Sequence, residues 1–337
     1  MSLTQIEFQA EGTGDAPAQA IQGRSPWMLA WRRLRQDKVA IASGALILVL
    51  ALLAILAPVI SSLVGHSPDT PYTNTGLNSQ GLPVGPSGTF LFGTDGLGRD
   101  LFVRVLYGAQ ISLLVGFVST LIGTAAGVVM GMTAGYFGGV IDTVLARFID
   151  SVLAFPYVVL ALALAVVFGP SLSVTIGVIS FFSWAAIARV VRGQTLSIKE
   201  KEYVEAARSI GSGPWRIMFI DILPNLIAPV LVLATLAVPT AIVFEATLSY
   251  LGVGIQPPTS SWGNLLSQAQ TFYQTSWWYL VFPAGFLLLT TLAFNLLGDG
   301  VRDAMDPRTE RLFASQRKGR RSAAKRARPT PPATEVS

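Results

Sequence analysis

Residues 151–188 read SVLAFPYVVLALALAVVFGPSLSVTIGVISFFSWAAIA, and no Asp, Glu, Lys or Arg interrupts them. A helix crosses the roughly 30 Å of bilayer hydrocarbon in about 20 apolar residues, so this run is too long for one crossing. Gly169-Pro170-Ser171 divides it. Proline lacks the donor that would continue a helix, and the glycine beside it permits a tight turn. The run reads as two spans joined in a hairpin, which makes the fold an all-α membrane fold.

The same absence of charge holds over 39–68, 105–141, 222–244 and 246–298. Across the 337 residues, 51% are hydrophobic and 13% charged, and the mean hydropathy is +0.54. Soluble domains carry about a quarter charged residues. Helices are expected at 39–60, 107–134, 147–168, 172–190, 226–248 and 278–298, giving six transmembrane helices. The first apolar run follows a long basic and aromatic stretch, unlike a cleavable leader, and should stay as an anchor.

Orientation follows from Lys and Arg, which stay on the cytoplasmic side. With both termini cytoplasmic, all but Arg99 and Arg104 of the 24 Lys and Arg residues face inward. Trp277, Trp278 and Tyr279 then stand at the outer end of the last span, as an aromatic belt would. The expected organisation is a disordered N-terminus over 1–25 and, over 26–104, an interfacial segment with the first transmembrane helix and an external loop. A membrane domain over 105–299 follows, with a cytoplasmic loop at 191–225, and a basic cytoplasmic tail fills 300–337. In that tail, Arg317-Lys318-Gly319-Arg320-Arg321 with Lys325, Arg326 and Arg328 suits anionic lipid or nucleic acid. A solvated, orientation-setting tail is the plainer reading, and no nucleic-acid partner is expected.

Cysteine is absent, so no disulfide or thiolate metal site is expected. His66, the single histidine, has no acidic neighbour in sequence and reads as a loop residue. With no nucleophile–base pair and no His-Glu-x-x-His, an intramembrane enzyme is excluded and no catalytic residue or metal ligand is named. A secondary transporter would want inverted repeats and carboxylates in mid-membrane. Only Glu245 lies deep in an apolar run, and it is read either as a structural partner or as a pathway or gate residue. Gly123, Gly127, Gly131 and Gly135 form a bare helical stripe that suits close packing or a moving face. Arg147 and Asp150 stand three apart and are expected to pair along their helix.

The longest basic connection between spans holds Glu205-Ala206-Ala207-Arg208-Ser209-Ile210-Gly211 and Leu223-Pro224. Ser197-Ile198-Lys199-Glu200 has the form of a capping box, which predicts a helix starting at Ser197. Gly211 should end it, Pro214 should open a second short helix, and Pro224 should close that one. The small side chains of Ala206 and Ala207 leave a face on which another protein can seat. No Gly-x4-Gly-Lys-Ser/Thr phosphate loop occurs, so hydrolysis of ATP is not expected of this chain, which carries no cofactor of its own.

Glu205-Ala206-Ala207, then Gly211 and Leu223-Pro224, resembles the signature loop of permease subunits of ABC importers. The position two before Leu223, often isoleucine in the wider family, is Asp221, and members that handle peptides are commonly polar there. Phe92-Gly93-Thr94-Asp95-Gly96-Leu97-Gly98-Arg99-Asp100, Ala154-Phe155-Pro156, Glu245-Ala246-Thr247-Leu248-Ser249-Tyr250-Leu251-Gly252, Gln256-Pro257-Pro258 with Ser261-Trp262-Gly263, and Leu297-Gly298-Asp299-Gly300 narrow the resemblance. They are similar to the C-type subunit of dipeptide, oligopeptide and nickel importers, over about residues 27 to 308.

That resemblance implies a type I ABC importer transmembrane fold, with residues 105–299 as the permease domain. It implies a homologous B-type permease partner, two ATPase subunits that hold ATP and magnesium, and an outer substrate-binding protein. Lys199, Lys201, Tyr203, Glu205, Ala206, Ala207, Arg208, Gly211, Leu223 and Pro224 would then couple to an ATPase. Gln256, Pro257, Pro258 and Trp262 would meet the binding protein. Short peptides are the implied cargo, with nickel chelates, glutathione or another small solute as the alternative.

Overall fold

The computed structural model describes residues 26–305, in which every regular element is a helix. In chain order the helices are α1 (Pro26–Leu34), α2 (Lys38–Ile55), α3 (Ala57–Val64), α4 (Thr73–Gly76), α5 (Leu101–Phe137), α6 (Gly139–Ala154) and α7 (Tyr157–Phe168). Then come α8 (Leu172–Ile198), α9 (Glu202–Ser209), α10 (Pro214–Arg216), a π-helical turn Ile217–Ile222, α11 (Leu223–Tyr250), α12 (Trp262–Ala269) and α13 (Trp277–Met305). The expectations placed on residues 1–25 and on the tail from 306 onward lie outside the described residues.

Among the described residues, five helical stretches are long and apolar enough to cross a membrane, and α6 with α7 makes a sixth if that bent pair is one span. The bend corrects the expected helix 147–168: the axis turns by 86° at Phe155-Pro156. The residue before a proline is pushed out of the α region, and Phe155 sits at φ −74°, ψ 135°. The hairpin turn at 169–171 forms as expected, with Gly169 at φ +80° and the Ser171 hydroxyl accepting from the Val174 N–H at 3.3 Å.

Asp37 caps α2 by accepting from the Val39 and Ala40 N–H groups, and Asp100 caps α5 by accepting from Phe102 and Val103. The glycine stripe of α5 lies against α8. A Cβ at Gly127 would stand 2.8 Å from the Trp184 carbonyl oxygen, and one at Gly131 2.6 Å from that of Ala188. Only hydrogen lets the two backbones approach so closely, and in lipid that approach is where the dispersion energy of packing comes from. α11 and α13 complete the bundle around a core that includes Leu101, Val105, Leu113, Ile242, Trp262 and Phe294.

Candidate functional site

The elbow between α8 and α11 stands at one end of the bundle. Its construction differs from the expected one in two ways. α8 runs through Ser197 to Ile198, and α9 opens at Glu202 with Lys201 as a cap that lends no side-chain bond. Ser197 therefore caps nothing; packing of Val191, Thr195 and Ile198 carries α8 past the local capping signal. Pro224 likewise ends no helix. α10, the π turn and α11 run on as one apolar helix from Pro214 to Tyr250, with Pro224 in the first turn of α11, where a missing N–H is tolerated.

The glycine stop forms as expected. Gly211 takes φ +83°, its N–H donates to the Arg208 carbonyl at 2.9 Å, and Ser212 N–H donates to Ala207 O at 3.0 Å. Pro214 opens α10 from its first turn. Val204 is fully buried and anchors α9 onto Met132, Val191, Met218 and Leu226, with Ala207 half-buried beside it. The Arg208 guanidinium lies 5.3 Å from the centroid of the Tyr136 ring, fixing α9 to the C-terminal end of α5. Partial burial, with a smaller effect from Asp221, raises the Tyr203 phenol above its usual pKa.

Lys201, Tyr203, Glu205, Ala206, Arg208, Gly211 and Pro224 are exposed, while Lys199 and Leu223 are half-buried. Two residues not singled out in the sequence dominate the tip: Ile210 is 81% exposed and Trp215 63%, with the Trp215 ring stacked on Phe219 at 6.0 Å. A large apolar residue just before the stopping glycine was the available signal for Ile210. Asp150 does not pair with Arg147; it accepts from Arg189 Nη2 at 2.7 Å, and Asp142 pairs with Arg192. Both partners come from α8, across the bundle.

At the other end, Asp95 is the hub of a buried cluster. It takes Arg99 Nε at 2.7 Å and also Arg104, whose Nε donates to Ser260 at 3.1 Å. Gln268 Oε1 accepts from Arg104 at 3.2 Å and from the Tyr279 hydroxyl at 2.9 Å. Tyr279 is thus inside the protein, whereas Trp277 is exposed. His66 Nδ1 lies 2.6 Å from Asp100 Oδ2, so an acidic neighbour absent in sequence is present in space.

Pro257 and Pro258 are exposed and Gln256 half-buried, but Trp262 is fully buried and its indole N–H donates to the Val105 carbonyl at 3.1 Å. That corrects its placement among surface contacts: Gly108 of α5 passes just above the ring and leaves room for it. Glu245 is also fully buried. Its two oxygens accept from the Ser112 and Ser249 hydroxyls, each at 2.7 Å, tying α5 to α11. It is not among the residues that line one apolar cavity between the helices. That cavity, about 710 Å³, opens between α6–α7, α8, α11 and α13, beside the bend at Phe155. Phe182, Pro239 and Phe244 line it with the neutral polar groups of Ser183, Thr240 and Asn295, and no Asp, Glu, Lys, Arg or His is among its walls.

A family model described as binding-protein-dependent transport system inner membrane component matches residues 127–311. A second, the N-terminal TM domain of oligopeptide transport permease C, matches 25–81. The dipeptide transport system permease protein DppC of Bacillus subtilis is 43% identical over 84% of this chain and 86% of that protein. The oligopeptide permease OppC of Escherichia coli is 41% identical over 86% of this chain and 93% of its own length. The glutathione transport system permease GsiD of Pectobacterium atrosepticum is 38% identical over 85% and 92%. Among solved structures, a chain of the inward-facing MetNI methionine ABC transporter covers 60% of this one, with a TM-score of 0.50 at 18% identity, a likeness of fold. The chain is a multi-pass membrane protein that belongs to the family of binding-protein-dependent transport system inner membrane components.

Proposed function

We propose that this chain is one permease half of an ATP-driven importer of dipeptides and oligopeptides, working beside a homologous permease subunit, two ATPase subunits and an outer binding protein. Its termini and elbow face the cytoplasm of a cell whose plasma (inner) membrane it crosses. The single observation that carries this reading is the elbow itself: a short helix pinned from beneath by Val204, with Glu205, Ala206 and Ile210 presented outward and stopped at Gly211.

A groove on an ATPase would receive that tip, with Lys201 and Arg208 at its rim and ATP and magnesium held in the partner. Closure of the ATPase pair would shift the bundle between inward and outward openings, by no more than the difference in ATP affinity between the two states. The uncharged cavity beside Phe155 and Phe244 would be this chain's wall of the peptide route. Neutral walls place no sign of charge at a disadvantage, which suits a cargo class of mixed side chains. Glutathione is a second reading, favoured by the 38% identity to GsiD.

Gly211→Val tests the elbow. β-branched valine resists positive φ, so the turn would open and the tip would move. In proteoliposomes carrying the assembled transporter, ATP-driven uptake of a labelled dipeptide should fall at least tenfold while assembly persists. Uptake and substrate-stimulated ATPase activity at the normal rate would overturn the assignment.

A further inference from the structure

We propose that α1 binds anionic phospholipid headgroups at the membrane surface, holding them between its exposed arginines and two tryptophans. The helix has nine residues and cannot cross a bilayer. One strip, Leu29, Ala30, Arg33 and Leu34, is half-buried, and Arg33 donates to the Ala304 carbonyl at the end of α13 at 3.4 Å. The opposite strip is open: Trp27 is 48% exposed, Met28 62% and Trp31 58%, with Arg32 and Arg35 on the same side.

Two tryptophans and a methionine presented to water on so short a helix are unfavourable; at the headgroup level they are not. Position places them there. Only residues 35–37 separate α1 from α2, at most about 10 Å of extended chain, and α2 is a membrane span. Tryptophan favours this boundary, and an arginine fork matches a phosphate with two parallel N–H bonds. Arg35 already lies 5.3 Å from the centroid of the Trp31 ring, so cation and aromatic reach one headgroup together.

Charge selects the anionic lipids. No acidic residue occurs between Pro26 and Gln36. Among the described residues no carboxylate forms an ion pair with Arg32, Arg35 or Lys38. Asp37, the one acid in the connection, spends its Oδ1 on the cap of α2. The site therefore offers uncompensated positive charge, which a zwitterionic surface does not answer. The inference rests on the membrane fold alone and is independent of the cargo.

Tryptophan quenching in nanodiscs tests it, with the full-length chain and with its Trp27→Phe/Trp31→Phe form to isolate the signal of these two rings. Brominated phosphatidylglycerol should half-quench that signal at a mole fraction roughly tenfold below brominated phosphatidylcholine. Arg32→Gln/Arg35→Gln/Lys38→Gln should bring the two lipids together, as should high salt. Equal quenching by both lipids in the unaltered chain would overturn the charge selection. No quenching by either would mean that the face meets water or another protein, and would overturn the site.

Discussion

Gly131→Ala tests how closely α5 and α8 approach. The added methyl would sit 2.6 Å from the Ala188 carbonyl oxygen and 2.9 Å from Val191 Cβ, whereas ordinary contact begins near 3.4 Å. Neither neighbour can yield alone, since one is backbone and the other branches at its first carbon. α8 must retreat by something near 1 Å, and a gap of that size forfeits a quarter to a half of each dispersion contact along the pair. Overpacking of this kind costs about 1–3 kcal/mol, set against a gain of up to about 1 kcal/mol for alanine over glycine in a helix. The chain supplies its own control in Gly285 of α13, where a Cβ would meet nothing within 4 Å, so Gly285→Ala shows the helix gain alone. The two variants should therefore separate by about 1–3 kcal/mol. Intrinsic-fluorescence melting of the full chain in detergent reads the difference, at roughly 2–4 °C for each kcal/mol. Trp184, whose carbonyl faces Gly127, lies one turn along α8 from the strained contact and reports on it. A Gly131→Ala protein that melts with or above Gly285→Ala would refute the close packing.

Glu245→Ala removes the acceptor for the buried hydroxyl protons of Ser112 and Ser249, which keep only the N–H groups they accept from Trp262 and Ile255, and should destabilise by about 1–3 kcal/mol, with Glu245→Gln milder because one oxygen remains. If uptake by Glu245→Gln falls while its melting temperature holds, the carboxylate has a role in the pathway beyond tying α5 to α11. Asp95→Asn leaves Arg99 and Arg104 facing each other without their buried counter-ion and should cost about 3–5 kcal/mol in the same melt. The half-exposed pair of Asp150 and Arg189 should cost under about 1 kcal/mol on Asp150→Asn, and equal costs at the two sites would contradict the burial argument.

The spans were legible because lipid imposes one simple demand on composition over some twenty residues, and the turn at Gly169 and the stop at Gly211 because each depends on a backbone angle that glycine supplies locally. What escaped the sequence was decided across the bundle. The bend at Phe155-Pro156 sits inside an unbroken apolar run, so hydropathy passes over it and only the proline gives warning. Ser197 has the right spacing for a cap, yet tertiary contacts of Ile198 carry α8 through it. Trp262 lies in a polar loop sequence that suggests a surface, and its burial depends on the glycine of α5 above it. Asp150 found Arg189 rather than its near neighbour Arg147. The elbow was placed by its motif, while its tip residues Ile210 and Trp215 show only in the fold.

The unbroken run from Pro214 to Tyr250 has a mechanical consequence. Pro229 and Pro239 lie inside it without severing it, so the helix is continuous from the elbow to the other end of the bundle. At 1.5 Å per residue the rod is about 55 Å long, and a rocking of about 5° at its foot displaces its head by some 5 Å. The π turn at Ile217–Ile222, where the winding is already slack by a residue, is one soft coil in that lever, and the two prolines, each of which removes a backbone bond, are others. Torque applied at the foot of the rod would reach Phe244 and the cavity wall through those points.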